Sequence, residues 1–157
     1  MKLSLSIKIL IAVVLCNALG AGSGFILGSP LSEWYQNLNK PFFQPPSWVF
    51  GPAWTLLYTL MGVAVAFIWN MDPSPLRKNA LTLFIIQFLI NLTWSPIFFG
   101  MQNPMLALVV IAIMWIMIIL TILSFFKLYK LSGYLLIPYL LWVSFATVLN
   151  AAIVYLN

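Results

Sequence analysis

Long intervals without an ionisable side chain constrain this sequence more than anything else in it. Twenty-four uncharged positions separate Lys8 from Glu33, 31 separate Lys40 from Asp72, 48 separate Lys78 from Lys127, and 27 follow Lys130. A helix that crosses a bilayer needs about 20 largely apolar residues, so these intervals hold one, one, two and one spans. Gly100-Met101-Gln102-Asn103-Pro104 supplies the breakers that divide the longest interval. The expectation is an all-α integral membrane protein, a single domain over 1–157 with transmembrane helices at about 8–29, 47–70, 79–100, 105–126 and 132–155. A β-barrel needs alternating polarity, which the continuous apolar run over 106–113 contradicts.

Composition agrees and excludes whole classes of function. Hydrophobic residues make up 64% and charged residues 6% of the 157, far from the balance of a water-soluble domain. The net charge of +5 comes from basic residues scattered in ones and twos, whereas phosphate binding needs a clustered patch, so no nucleic-acid partner is expected. The absence of histidine removes His-ligated haem, His-based zinc and the Ser-His-Asp triad. Cys16 stands alone, so no intrachain disulfide forms. No lysine precedes Ser or Thr, which rules out a P-loop. No charged residue falls well inside a span, so pumps and ion channels lack their usual apparatus.

Lys2, Lys8, Arg77, Lys78, Lys127 and Lys130 fall on one side of a five-span layout and Lys40 on the other. The positive-inside rule then puts the N-terminus inside and the first loop outside. The first apolar segment also has the look of a cleavable signal peptide, but its run continues through Phe25-Ile26-Leu27, which favours a retained helix. Gly20, Gly24 and Gly28 recur every fourth residue, a spacing that lets another helix approach closely, within the bundle or in a dimer.

The first loop carries the densest information. Ser32 is placed to cap a short helix through Leu38. Four prolines from Pro41 to Pro52 bar regular helix over most of the remaining loop, and Pro46 suits the start of the second span. A stiff loop rich in Trp34, Phe43 and Trp48 reads either as an interfacial aromatic belt or as a lid over an apolar cavity. Within the spans, Trp54 and Tyr58 share one face of the second helix. Gln87, Asn91 and Ser95, with Trp94 adjacent, share a face of the third, and Trp142, Ala146 and Asn150 a face of the fifth. Polar side chains in hydrocarbon face protein or a cavity, so these faces either hydrogen-bond between helices or line a pocket with aromatic walls and a few orienting amides. The fourth span offers only Thr121 and Ser124 as polar groups and is expected to pack toward lipid. Pro96 frees the carbonyl of Leu92 and Pro138 that of Tyr134, which permits kinks.

Trp34-Tyr35 followed by Leu38-Asn39-Lys40-Pro41, then Pro45-Pro46, Trp48-Val49-Phe50 and Ala53-Trp54-Thr55-Leu56-Leu57-Tyr58, resembles the first loop and second helix of the TspO/MBR family, the tryptophan-rich sensory and translocator proteins once called peripheral benzodiazepine receptors. Asn91-Leu92-Thr93-Trp94-Ser95-Pro96-Ile97-Phe98-Phe99-Gly100 is similar to its third helix, and Pro138-Tyr139-Leu140-Leu141-Trp142 with Ala146-Thr147-Val148-Leu149-Asn150 to its fifth. The resemblance implies a compact five-helix bundle, a homodimer, and a pocket beneath the first loop among helices one, two, three and five. It implies porphyrin as the ligand, with sterol-like molecules and benzodiazepine-type drugs as others, and no required cofactor. Carried onto this sequence, the pocket residues are Trp54, Tyr58, Asn91, Trp94, Trp142 and Ala146, with Tyr35 and Pro45 in the lid; Gln87 and Asn150 join them from the polar faces of the third and fifth helices. A membrane receptor or sensor for porphyrin is the implied function, with two alternatives: a light-dependent protoporphyrin-degrading enzyme using Trp54 and Trp142, or a passive transporter of porphyrin or lipid. The family's sterol motif calls for a basic residue soon after a tyrosine in helix five, and here only Leu156 and Asn157 follow Tyr155. This departure argues against tight sterol binding.

Overall fold

A computed structural model of the chain describes residues 3–27 and 32–157, with the side chains of 25–27 left out; Gly28 and Ser29 lie outside the described residues. Five helices are long and apolar enough to cross a membrane, and no strand occurs among the described residues. The elements are α1 (Leu5–Leu27), a short α2 (Glu33–Asn37), a 3-10 turn (Ser47–Val49) leading into α3 (Phe50–Asn70), α4 (Pro75–Ser95) extended by a π turn (Pro96–Gly100), α5 (Pro104–Leu128), α6 (Lys130–Leu135) and α7 (Ile137–Leu156).

Local chemistry explains where the boundaries depart from expectation. α4 starts before residue 79 because the Ser74 side chain accepts from the Arg77 backbone N–H at 3.1 Å and Pro75 occupies the first turn, a capping arrangement that tolerates basic residues inside the helix. Arg77 turns back and donates to the carbonyls of Ile68 and Trp69 at 3.3 and 2.8 Å, adding to the Met71 N–H bond to Ile68 O at the end of α3. Between the π turn and α5, Gln102 takes a left-handed φ of 52°, and the Asn103 side chain caps α5 by accepting from Leu106 N–H at 2.9 Å. The fifth span is broken at Leu136, two residues before Pro138, so it is built from α6 and α7. Ser32 caps α2 as read from sequence, accepting from Tyr35 N–H at 3.3 Å, and Leu38 ends it.

Two expectations about packing are corrected. The fourth span is not simply lipid-facing: α5 buries Ala107, Ile111, Met114, Ile118, Thr121, Ile122 and Phe125 along one stripe while Val109, Ile113, Ile116, Leu120 and Leu123 stay exposed on the other side. Both faces are apolar because one meets protein and the other lipid. Within the bundle, the backbone-to-backbone approach of α1 falls at Gly62 of α3 and not at Gly20 or Gly24 of the repeat. Gly20 makes room for the Tyr58 ring and Gly24 faces open space, whereas Gly62 of α3 lies against α1, where an added Cβ would sit 2.6 Å from Val13 Cα and 2.7 Å from its nitrogen.

Helices in lipid gain little from apolar transfer and cohere through close packing, so the Gly62 contact is a point where bulk cannot be absorbed. Gly62→Leu is therefore expected to lower stability by about 1–3 kcal/mol, seen as a lower thermal midpoint in detergent, while Gly51→Ala, which meets nothing within 4 Å, leaves the midpoint unchanged.

Candidate functional site

Beneath residues 32–49, the lid-side parts of α1, α3, α4, α5 and α7 line a chamber of about 660 Å³, a size typical of small-molecule sites. Its described lining carries no charged side chain. Trp54 and Tyr58 enter from α3 as a stacked pair with ring centroids 5.3 Å apart. Trp94 enters from α4, stacked on Phe98 of the π turn at 5.0 Å, and Trp142 and Ala146 enter from α7.

Hydrogen bonds decide which polar atoms remain free to meet a ligand. Tyr58 OH donates to Asn91 Oδ1 at 2.8 Å, Asn91 Nδ2 donates to Tyr139 OH at 3.0 Å, and Tyr139 OH donates to Gln87 Oε1 at 2.9 Å. This chain ties α3, α4 and α7 together at the chamber floor, and its hydroxyls and amides are buried. Trp94 Nε1 donates to Asn150 Oδ1 at 3.2 Å, and Asn150 Nδ2 donates to Pro104 O at 2.8 Å, so both polar groups are spent on joining helices. The Leu92 carbonyl, released by Pro96, accepts from Ser23 Oγ of α1 at 2.6 Å. The acceptor was legible from the proline; its partner was not.

Of the ten residues selected from sequence, Tyr35, Trp54, Tyr58, Asn91, Trp94, Trp142, Ala146 and Asn150 border the chamber; Pro45 and Gln87 do not. Gln87 lies one helical turn beyond Asn91, on the same face but past the floor, where it ends the polar chain. Pro45 belongs to the loop but not to its inner surface, which is formed by Tyr35 and Trp48. Sequence reading missed Ile111 and Met114, which give α5 a place in the wall, and Phe98 and Phe99 of the π turn. For Ile111 and Met114 the only signal was an apolar character shared with every lipid-facing residue, whereas Phe98 and Phe99 stand within the third-helix motif that carries the family resemblance.

The loop covers the chamber as a lid. Tyr35 is 3% exposed and packs edge-on against Phe98 and Phe99, its hydroxyl accepting from Gln44 Nε2 at 2.6 Å. Lys40 lies 5.0 Å from the Tyr35 ring centroid and donates to the carbonyls of Gln36 and Leu38 at 2.9 and 3.2 Å. Burial pushes the Tyr35 phenol above its ordinary value, partly offset by the Gln44 hydrogen bond. The neutral phenol therefore supports closure fully below the ordinary tyrosine range, and that support is lost as pH rises through the raised value. Phe43 of the lid meets Phe145 of α7, and Phe50 at the start of α3 meets Trp142 of α7; Gln44 Oε1 in the lid and Trp142 Nε1 in α7 are buried without a partner. Leaving such an atom unpaired costs about 1–3 kcal/mol.

A profile of the TspO/MBR family matches residues 12–156. The chain belongs to the TspO/MBR family. It is 41% identical to the tryptophan-rich protein TspO of Chlorobaculum tepidum over 94% of both chains. To the tryptophan-rich sensory protein of Cereibacter sphaeroides it is 42% identical over 80% of this chain and 77% of that one. With the human translocator protein it shares 36% over 82% of this chain and 77% of the relative. Family membership and five spanning helices together make it an integral, multi-pass membrane protein, and the family's name agrees with the number of indoles around this chamber.

The polar floor yields a graded expectation. Tyr139→Phe removes a hydroxyl that both accepts and donates, and should cost about 1–3 kcal/mol; Tyr58→Phe removes one donor and should cost less. Thermal unfolding of the two variants in the same detergent checks the order.

Proposed function

We propose that this protein is a membrane receptor of the sensory type that binds a porphyrin in the chamber under the lid. The observation that supports the reading most is the combination of indole faces with an uncharged interior: Trp54, Trp94 and Trp142 come from three helices to one space, with the Tyr58–Asn91 pair at its floor. Aromatic faces favour a broad, flat π system through offset or edge contacts, and few polar groups are left to orient it. In this reading the lid faces outside, on the side opposite Lys8, Arg77, Lys78, Lys127 and Lys130, in keeping with the charge asymmetry.

Titration of the detergent-solubilised protein with protoporphyrin IX, followed by tryptophan fluorescence, is expected to show saturable quenching. Trp54→Phe with Trp142→Phe should weaken the apparent affinity by roughly ten-fold, as loss of two aromatic contacts of about 0.5–1.5 kcal/mol each requires. Equal affinity in the double variant would remove the chamber from the reading. Light-driven breakdown of the porphyrin is the second reading, favoured by the position of Trp54 and Trp142, two oxidisable indoles, at the same chamber. Under illumination it predicts that the porphyrin Soret band fades faster with the unaltered protein than with Trp142→Phe; identical rates would exclude it.

A further inference from the structure

Ring edges hold most of the seam between lid and bundle, and edge contacts fix no register. Directional bonds are concentrated at one point. Asn39 N–H donates to Asn157 Oδ1 at 3.0 Å, and Asn157 Nδ2 donates back to the Asn39 carbonyl at 3.0 Å. One carboxamide thus grips both backbone groups of a single lid residue, as a neighbouring strand would. The second hydrogen of the same Nδ2 goes to Ile153 O at 2.9 Å, which fixes the amide on the last turn of α7. The Asn39 side chain adds a longer bond to Leu156 O at 3.3 Å. Among the described residues 38–46, Asn39 is where hydrogen bonds reach the helical bundle, and the helix they reach carries Trp142, Ala146 and Asn150.

We propose that Asn157 is the positioning residue of the lid: by clasping the Asn39 backbone it sets how often the lid opens, and so how fast a ligand enters and leaves the chamber. The inference rests on the chamber being the binding site. The clasp joins a lid whose Gln44 Oε1 has no partner to a helix whose Trp142 Nε1 has none. A lid hinged this way governs exchange rates more than affinity, because the same clasp closes over an empty and an occupied chamber.

Since the grip is on backbone, the side chains at its two ends are unequal. Asn157→Ala removes donor and acceptor together, Asn157→Asp keeps the acceptor for Asn39 N–H and loses the donor, and Asn39→Ala leaves the clasp intact. The test is stopped-flow mixing of the full chain in detergent with protoporphyrin IX, read by tryptophan quenching, beside hydrogen exchange of the Asn39 amide in the ligand-free protein. Asn157→Ala should raise association and dissociation rate constants together by roughly five-fold, the loss of two exposed hydrogen bonds, with their ratio changed by less than about two-fold. Asn157→Asp should fall between Asn157→Ala and the unaltered protein, Asn39→Ala, which loses only the longer bond to Leu156 O, should shift the rates least of the three, and amide exchange should follow the same order. Unchanged rates in Asn157→Ala, an equal effect from Asn39→Ala, or a change in dissociation alone would overturn the proposal. Should Asn157→Ala not fold, Asn157→Asp and Asn39→Ala carry the comparison. If the unaltered protein shows no quenching, the porphyrin reading fails, and the exchange order by itself decides the clasp.

Discussion

Hydrocarbon offers no hydrogen-bond partners, so the polar groups this chain takes into the membrane are met mostly from within it. The run Tyr58–Asn91–Tyr139–Gln87 joins three helices that differ widely in sequence position and pairs every polar atom in it except Gln87 Nε2, which is buried without a partner. The same requirement accounts for the Asn150 bridge between Trp94 and the Pro104 carbonyl, and for Ser23 on the carbonyl that Pro96 releases. Together these ties fix the relative rotation of α1, α3, α4, α5 and α7. Packing at Gly62 then sets how closely α1 and α3 approach. In a bundle with little apolar driving force between helices, such ties determine which side chains face inward.

The chamber is a consequence of that rotation. The ties lie at its floor and along its walls, and the indoles of Trp54, Trp94 and Trp142 occupy the space above the floor on the lid side. The π turn at Pro96–Gly100 contributes by turning Phe98 and Phe99 toward the lid, where they meet Tyr35; such turns recur at functional sites. A roof of prolines and aromatic rings spans the gap with little backbone freedom to lose. Its hydrogen bonds are mostly internal, Gln44 to Tyr35 and Lys40 to the end of α2, which makes it a preformed unit that is docked as a whole.

Much of this was legible in the sequence, because charge-free length, turn residues and polar side chains inside apolar runs are local signals. Trp54 and Tyr58 on one face and Asn91 beside Trp94 required only helical periodicity. The inward stripe of α5 was not legible: in water an inward face is marked by contrast with a polar outer face, and in lipid that contrast disappears, so Ile111 and Met114 read the same as Ile113 and Ile116. Gln87 was placed at the chamber because periodicity gives the face of a residue and not its depth. Pro45 was assigned to the lid by the family resemblance and does lie in that loop, but it does not border the chamber, because a loop's inner surface depends on how it folds back, which prolines restrict without specifying. The Asn39–Asn157 clasp joins residues 118 positions apart, and nothing local to either asparagine announces it.

The central claim is that the inward rotation fixed by the polar floor creates a space shaped for a flat apolar ligand. A structure of the protein in a lipid environment with protoporphyrin IX tests it most directly. The account predicts the macrocycle between Trp54 and Trp142, below Tyr35, with the Tyr58–Asn91–Tyr139 hydrogen bonds intact. A macrocycle lying on the outer, lipid-facing surface of the helices, with side chains collapsed into the chamber, would contradict it.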